Sequence, residues 1–187
     1  MTTPAAGSAP WNWLGVYLVF MLAQRFYELA ISARNERALR ARGAIEHGAA
    51  LYPWFVVLHA LWPFGLIAEV ARLGARPYPW WPVALVALLA AGALRVAAMT
   101  ALGPMWTTRV WVVPGEHPLV RSGPYRWLRH PAYVAVTLEL LAAPLMFGAW
   151  RTAIGAGAFN AVLLSLRIRD EERALGITTP ELESPRR

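Results

Sequence analysis

Two stretches of the chain hold residue types that could do chemistry. The first is Gly123-Pro124-Tyr125-Arg126-Trp127-Leu128-Arg129-His130-Pro131-Ala132-Tyr133. It places two phenols, one imidazole and two guanidiniums inside a proline-punctuated polar segment. The second is Arg167-Ile168-Arg169-Asp170-Glu171-Glu172, near the C-terminus. A loop that only crosses between two apolar helices has no need of such side chains. The chain has no Cys, which excludes disulfides and thiolate metal sites. His117 and His130 have no carboxylates at metal-ligand spacing, so no metal is expected. A GxSxG elbow is absent, and no covalent nucleophile stands out.

The two stretches together suit a zwitterionic, aromatic small molecule. Carboxylates can take an ammonium or a ribose, and tyrosine and backbone donors can take a carboxylate. Aromatic faces can take a base or a sulfonium. S-adenosylmethionine carries all of these groups.

The elements that must position these residues are apolar helices. Of the 187 residues, 57% are hydrophobic and 16% charged, and mean hydropathy is +0.38. That composition places the chain in a bilayer. Ten Trp and six Tyr suit interfacial aromatic belts. The expected fold is an all-α integral membrane protein with about five transmembrane helices and a C-terminal helical hairpin. The helices are expected over about 11–31, 51–70, 81–102, 132–147 and 152–175. Residues 1–10 and 176–187 read as tails around a single membrane-embedded domain, 11–175. No basic region precedes the first apolar run, so it reads as a retained helix rather than a signal peptide.

Several polar residues interrupt these helices. Arg25, Glu28, Ser32 and Asn35 recur at steps of three and four and share one face. That stripe is either an internal pair locking helix packing or the lining of a path to a polar site. His59 reads first as an interhelical hydrogen-bond partner and second as a catalytic group. Glu69 and Arg72 read as a local pair. Gly92 and Ala91 would permit close helix approach. Arg95 needs a carboxylate partner, and Glu28 and Glu139 both qualify. Residues 32–50 read as a basic loop, helical at first. Thr107 to Val113 reads as a short strand bounded by Pro114-Gly115. On the last helix Asn160, Arg167 and Glu171 share one face, with Glu172 a quarter-turn away.

All eighteen cationic side chains are Arg. Thirteen fall in residues 32–50, 103–131 and the segment from 167, against three on the opposite side. The positive-inside rule makes the first side cytoplasmic and puts the N-terminus outside. Both polar stretches then lie on the cytoplasmic side. The formal charge of +7 is spread through membrane-flanking loops, which argues against a nucleic-acid partner.

At this point the residues carry a resemblance. His117-Pro118-Leu119-Val120, Gly123-Pro124-Tyr125, Arg129-His130-Pro131-x-Tyr133 and Arg167-x-x-x-Glu171-Glu172-x-x-Leu175 resemble the motif set of the isoprenylcysteine carboxyl methyltransferase family. Its members are integral membrane enzymes that use S-adenosylmethionine. The N-terminal half, with Arg25-Phe26-Tyr27-Glu28 and Gly43-Ala44-x-Glu46, resembles a small bacterial branch associated with alkylpyrones or alkylresorcinols. The resemblance implies cofactor contacts from His117, Pro118, Leu119, Val120, Tyr125, His130, Pro131, Ala132, Tyr133 and Glu171. It implies a substrate-side, catalytic role for Arg167, and Glu28 and Glu139 join it as substrate-side candidates. One position departs from the pattern. Eukaryotic members carry a cofactor-contacting Gln seven residues before the His-x-Leu-Val segment, where this chain has Val110.

The implied reaction is methyl transfer to a carboxylate, phenol or enol oxygen of a lipophilic or lipidated substrate, at a bacterial inner membrane. His130, Glu139 and Glu28 are candidate bases. Two other functions remain open: an NADPH-dependent reductase of sterol-reductase-like architecture, and a non-catalytic membrane scaffold. Nothing in the sequence sets the oligomeric state.

Overall fold

The computed structural model describes residues 9–73, 78–116 and 120–176. Five long helices dominate them: α1 (Ala9–Ala41), α2 (Tyr52–Leu73), α3 (Trp81–Leu102), α4 (Pro131–Met146) and α5 (Trp150–Ala174). Two short strands, β1 (Ile45–His47) and β2 (Val110–Val112), complete the regular structure. The protein is a helical membrane protein, as its composition requires. Among the described residues, α1, α2 and α3 are long and apolar enough to cross a bilayer. Their large apolar side chains point outward, including Val16, Phe20 and Phe26 on α1 and Val83, Val86 and Leu89 on α3. Lipid, not water, is the solvent that such faces match.

Small residues set how closely the inner helices approach. Ala91 and Ala98 of α3, Ala135 and Ala143 of α4, and Ala153 of α5 are buried. Close backbone contact through such residues is the usual basis of packing between membrane helices. Gly92 does not share this role, because a Cβ built there would meet open space. Residues 147–149 turn α4 into α5. Gly148 takes φ +74 in that turn, and a Cβ there would lie 3.1 Å from the Tyr78 ring.

Helices α2 and α5 run antiparallel. Glu69, near the end of α2, accepts hydrogen bonds from the Arg151 and Thr152 amides and the Thr152 hydroxyl. Glu69 therefore does not pair with Arg72. It satisfies amide groups that the start of α5 leaves open, and its charge suits a helix N-terminus. Helix ends outcompete a local i,i+3 partner here because their N–H groups are fixed and otherwise unpaired. Glu69→Ala should lower stability by about 1–2 kcal/mol, the usual range for a lost cap. Thermal unfolding in detergent checks this, and an unchanged midpoint would mean the cap contributes nothing.

A four-membered ion network sits at the middle of the bundle. Arg95 of α3 reaches Glu139 of α4 at 2.8 Å and Glu28 of α1 at 3.3 Å. Arg25 reaches Glu28 at 2.8 Å and Glu139 at 3.3 Å. Arg95 takes both candidate carboxylates, and the charges balance. The rest of the polar face of α1 holds a loop. Asn35 donates to the Trp106 and Gly103 carbonyls, and the Ser32 hydroxyl accepts from the Thr108 amide.

Residues 32–50 begin as helix, as expected, and depart from the expected basic loop only at β1. Helix α1 continues to Ala41, and β1 then pairs antiparallel with β2, Glu46 opposite Trp111. Three residues are too few to show alternation, and the partner lies far along the chain. Gly48 follows β1 at φ +64, where a Cβ would stand 3.1 Å from the Asp170 carboxylate of α5. The strand pair is thereby seated on the C-terminal end of α5.

Candidate functional site

The site is built where α4 begins and α5 ends. Pro131 at the first helical position of α4 needs no N–H partner and sets the helical φ. One turn further in, Tyr133 stacks on His130, ring centroids 5.3 Å apart and planes 10° off parallel. The Tyr133 hydroxyl donates to the Glu171 carboxylate and accepts from Arg167 Nε at 2.9 Å. Arg167 Nη2 donates to the Thr108 carbonyl at 2.7 Å. The guanidinium lies between two aromatic rings, 5.2 Å from Phe55 and 5.5 Å from Tyr133. Arg167 is thus held by α2, α4, α5 and the loop before β2.

Two of the five N–H donors of Arg167 are committed in this way, and the rest of the fork is uncommitted among the described residues. His130 lies against both glutamates of α5, Nε2 at 3.3 Å from Glu172 and Nδ1 at 3.9 Å from Glu171. Glu172, a quarter-turn from Glu171, therefore serves the same residue from a second side.

A cavity of about 170 Å³ opens beside this cluster, several times the roughly 30 Å³ of one water. Tyr125, His130, Ala132, Tyr133, Arg167 and Glu171 line it together. Val120 and Pro131 do not, and Pro131 is fully buried behind the cluster. His117, Pro118 and Leu119 lie outside the described residues. Glu28 and Glu139 are held in the ion network and do not line the cavity. Val110 does line it, with Trp111 and Val112 of the same strand.

The opposite wall carries residues that no motif pointed to. Arg109 pairs with Glu46 at 2.8 Å, and its guanidinium lies 4.0 Å from the centre of the Tyr52 ring. Arg42 and Glu116 form an ion pair at the rim. The signal for Arg109 was weak, one cation among β-branched residues, and its partner Glu46 becomes a neighbour only through the strand pairing.

The donor set fits S-adenosylmethionine. Glu171 offers a carboxylate for a cation, and Trp106 and Met105 offer apolar and aromatic surface. Burial, and then the Glu171 carboxylate, push the Tyr125 phenol up to about 12, so it stays a neutral donor at working pH.

A helical membrane protein with a carboxylate- and arginine-lined pocket at one end of the bundle is the class that fold and site define. Residues 83–177 match the isoprenylcysteine carboxyl methyltransferase family. The chain belongs to that family, whose role is membrane methyl transfer. It is 40% identical to the uncharacterized protein YpbQ of Bacillus subtilis (strain 168), over 84% of this chain and 94% of that one. It is 30% identical to an uncharacterized protein of Haemophilus influenzae, over 90% of this chain and 98% of that one. No solved structure matches it.

Proposed function

We propose that the protein is an S-adenosylmethionine-dependent O-methyltransferase acting on a lipophilic acceptor at the bacterial inner membrane. The observation that carries this reading is the setting of Arg167. It is fixed by Tyr133 and Thr108, stands one helical turn from Glu171, and lines the cavity with uncommitted donors. Family membership supports methyl transfer as the reaction. The distribution of arginine supports a cytoplasmic pocket and an N-terminus outside.

When bound, S-adenosylmethionine supplies an electrophilic methyl on a sulfonium. Tyr125, His130, Ala132, Tyr133 and Glu171 would hold it, with His117, Pro118 and Leu119 as the family pattern implies. Arg167 would orient the acceptor oxygen, whether carboxylate, phenol or enol. The methyl group is already activated, so orientation and exclusion of water are what this chain's residues contribute. An alkylpyrone, an alkylresorcinol or a prenylcysteine analogue would each meet the description of the acceptor.

Calorimetry with S-adenosylhomocysteine on detergent-purified protein tests the reading. Wild type is expected to bind, and His130→Ala to bind about tenfold more weakly or worse, a loss of about 1.4 kcal/mol. No binding by well-folded wild type would overturn the proposal and move the search to NADPH.

A further inference from the structure

The polar face of α1 carries two residues that the site described above does not use. Ser32 and Asn35 are buried, and neither lines the cavity. Both lie outside residues 83–177, the stretch that matches the family. Across the bundle they reach the loop that enters β2. Asn35 Nδ2 donates to the Trp106 carbonyl at 2.8 Å and to the Gly103 carbonyl at 3.2 Å. The Thr108 amide donates to Ser32 Oγ at 2.9 Å, and the Thr108 hydroxyl lies 3.0 Å from the same oxygen. Ser32 gives its own proton to Glu36, at 2.7 Å, so the Thr108 hydroxyl is the donor of that pair. A serine hydroxyl has one donor and two acceptor sites, and here every one is filled.

The same loop carries a hold on Arg167. Residues 106–109 precede Val110, where pairing with β1 begins, so no ladder bond fixes their backbone. Side chains of α1 fix it instead. Ser32 pins the amide of Thr108, and the carbonyl of that residue accepts from Arg167 Nη2 at 2.7 Å. Only the Thr108 Cα stands between the two peptide units involved. Tyr133 of α4 holds Arg167 Nε independently. One bond leaves a guanidinium free to pivot about its last side-chain torsion. Two bonds, to separate elements, fix its plane and aim the donors that remain uncommitted. A shift of about 1 Å at such a group can lower a rate about a hundredfold.

We propose that Ser32 and Asn35 are positioning residues for Arg167: through the Thr108 loop, α1 sets the direction in which the guanidinium presents its free donors. This deepens the methyltransferase reading and rests on it only for the reaction that Arg167 serves. A helix outside the family match thereby takes part in the site without touching cofactor or acceptor.

The test reads the guanidinium itself, by nuclear magnetic resonance of isotope-labelled arginine in the detergent-purified protein. Arg167 is assigned as the residue whose signals are lost in Arg167→Lys. In wild type its Nη nitrogens are expected to give separate signals, because the bond to Thr108 slows rotation about Nε–Cζ. Ser32→Ala is expected to merge them into one. Ser32→Thr keeps the hydroxyl and should keep them separate. Glu69→Ala, which weakens the fold at the opposite end of the bundle, should also keep them separate. A merged signal in wild type, separate signals in folded Ser32→Ala, or merging in Glu69→Ala as well would overturn the proposal. Should Ser32→Ala fail to fold, Ser32→Cys decides. Its thiol matches the hydroxyl in shape but is a weak acceptor, and signals as well separated as in wild type would overturn the proposal. Calorimetry separates the two levels. Ser32→Ala should bind S-adenosylhomocysteine within a few-fold of wild type, and a loss of about tenfold or more would put the loop's work on the cofactor side and overturn the proposal. No binding by wild type would instead sink the methyltransferase reading, with the arginine signals unaffected.

Discussion

Arg95→Leu should destabilise the folded protein by about 3–5 kcal/mol, the usual cost of breaking a buried ion pair from one side. Arg95 is 6% exposed and touches both carboxylates of the network. Its removal leaves Glu28 and Glu139 with Arg25 alone, an excess negative charge at membrane depth. Arg25→Leu should cost less, because its side chain is 27% exposed and makes a weaker claim on the buried carboxylates than Arg95 does. The charge-balanced double substitution Arg95→Leu with Glu139→Leu should recover a large part of the loss. Denaturant unfolding in mixed micelles measures all three. Equal losses for Arg25→Leu and Arg95→Leu would show that burial does not rank these charges.

Arg167→Lys should lower kcat by about a hundredfold or more, with S-adenosylhomocysteine affinity changed only a few-fold. The magnitude is that of displacing an acceptor by about 1 Å from its in-line position. Lysine keeps the charge but has no planar fork. It cannot meet Tyr133 and Thr108 and still present two parallel donors to an acceptor. Stacking between Phe55 and Tyr133 would go with the guanidinium. Methyl transfer to a lipophilic acceptor, measured beside calorimetry, separates the effects. A fall in cofactor affinity matching the fall in kcat would place Arg167 on the cofactor side instead.

Local periodicity carried the sequence reading a long way. Five apolar segments, the shared face of Arg167 and Glu171, and the polar stripe on α1 all follow from a repeat of 3.6 residues. The motif order from His117 to Leu175 likewise pointed to the family that residues 83–177 match. Helix α1 runs on past the membrane span toward Leu39, as the helical start of residues 32–50 implied, and ends at Ala41.

By itself, then, the sequence determined what each helix offers: which side chains lie on one face, and which charged groups must find partners. Only the tertiary structure decided the partners. Arg95 takes both Glu28 and Glu139 because α1, α3 and α4 converge at one level. Glu69 turns to the start of α5 instead of to Arg72, and Glu46 finds Arg109 through a strand pairing that three residues cannot announce. His59 lost its expected interhelical role to a carbonyl of its own helix, leaving Nε2 buried and without a partner among the described residues. The physical reason is common to all four. Helical and strand periods act over a few residues, whereas burial forces each polar group to choose among whatever partners packing brings within about 3 Å.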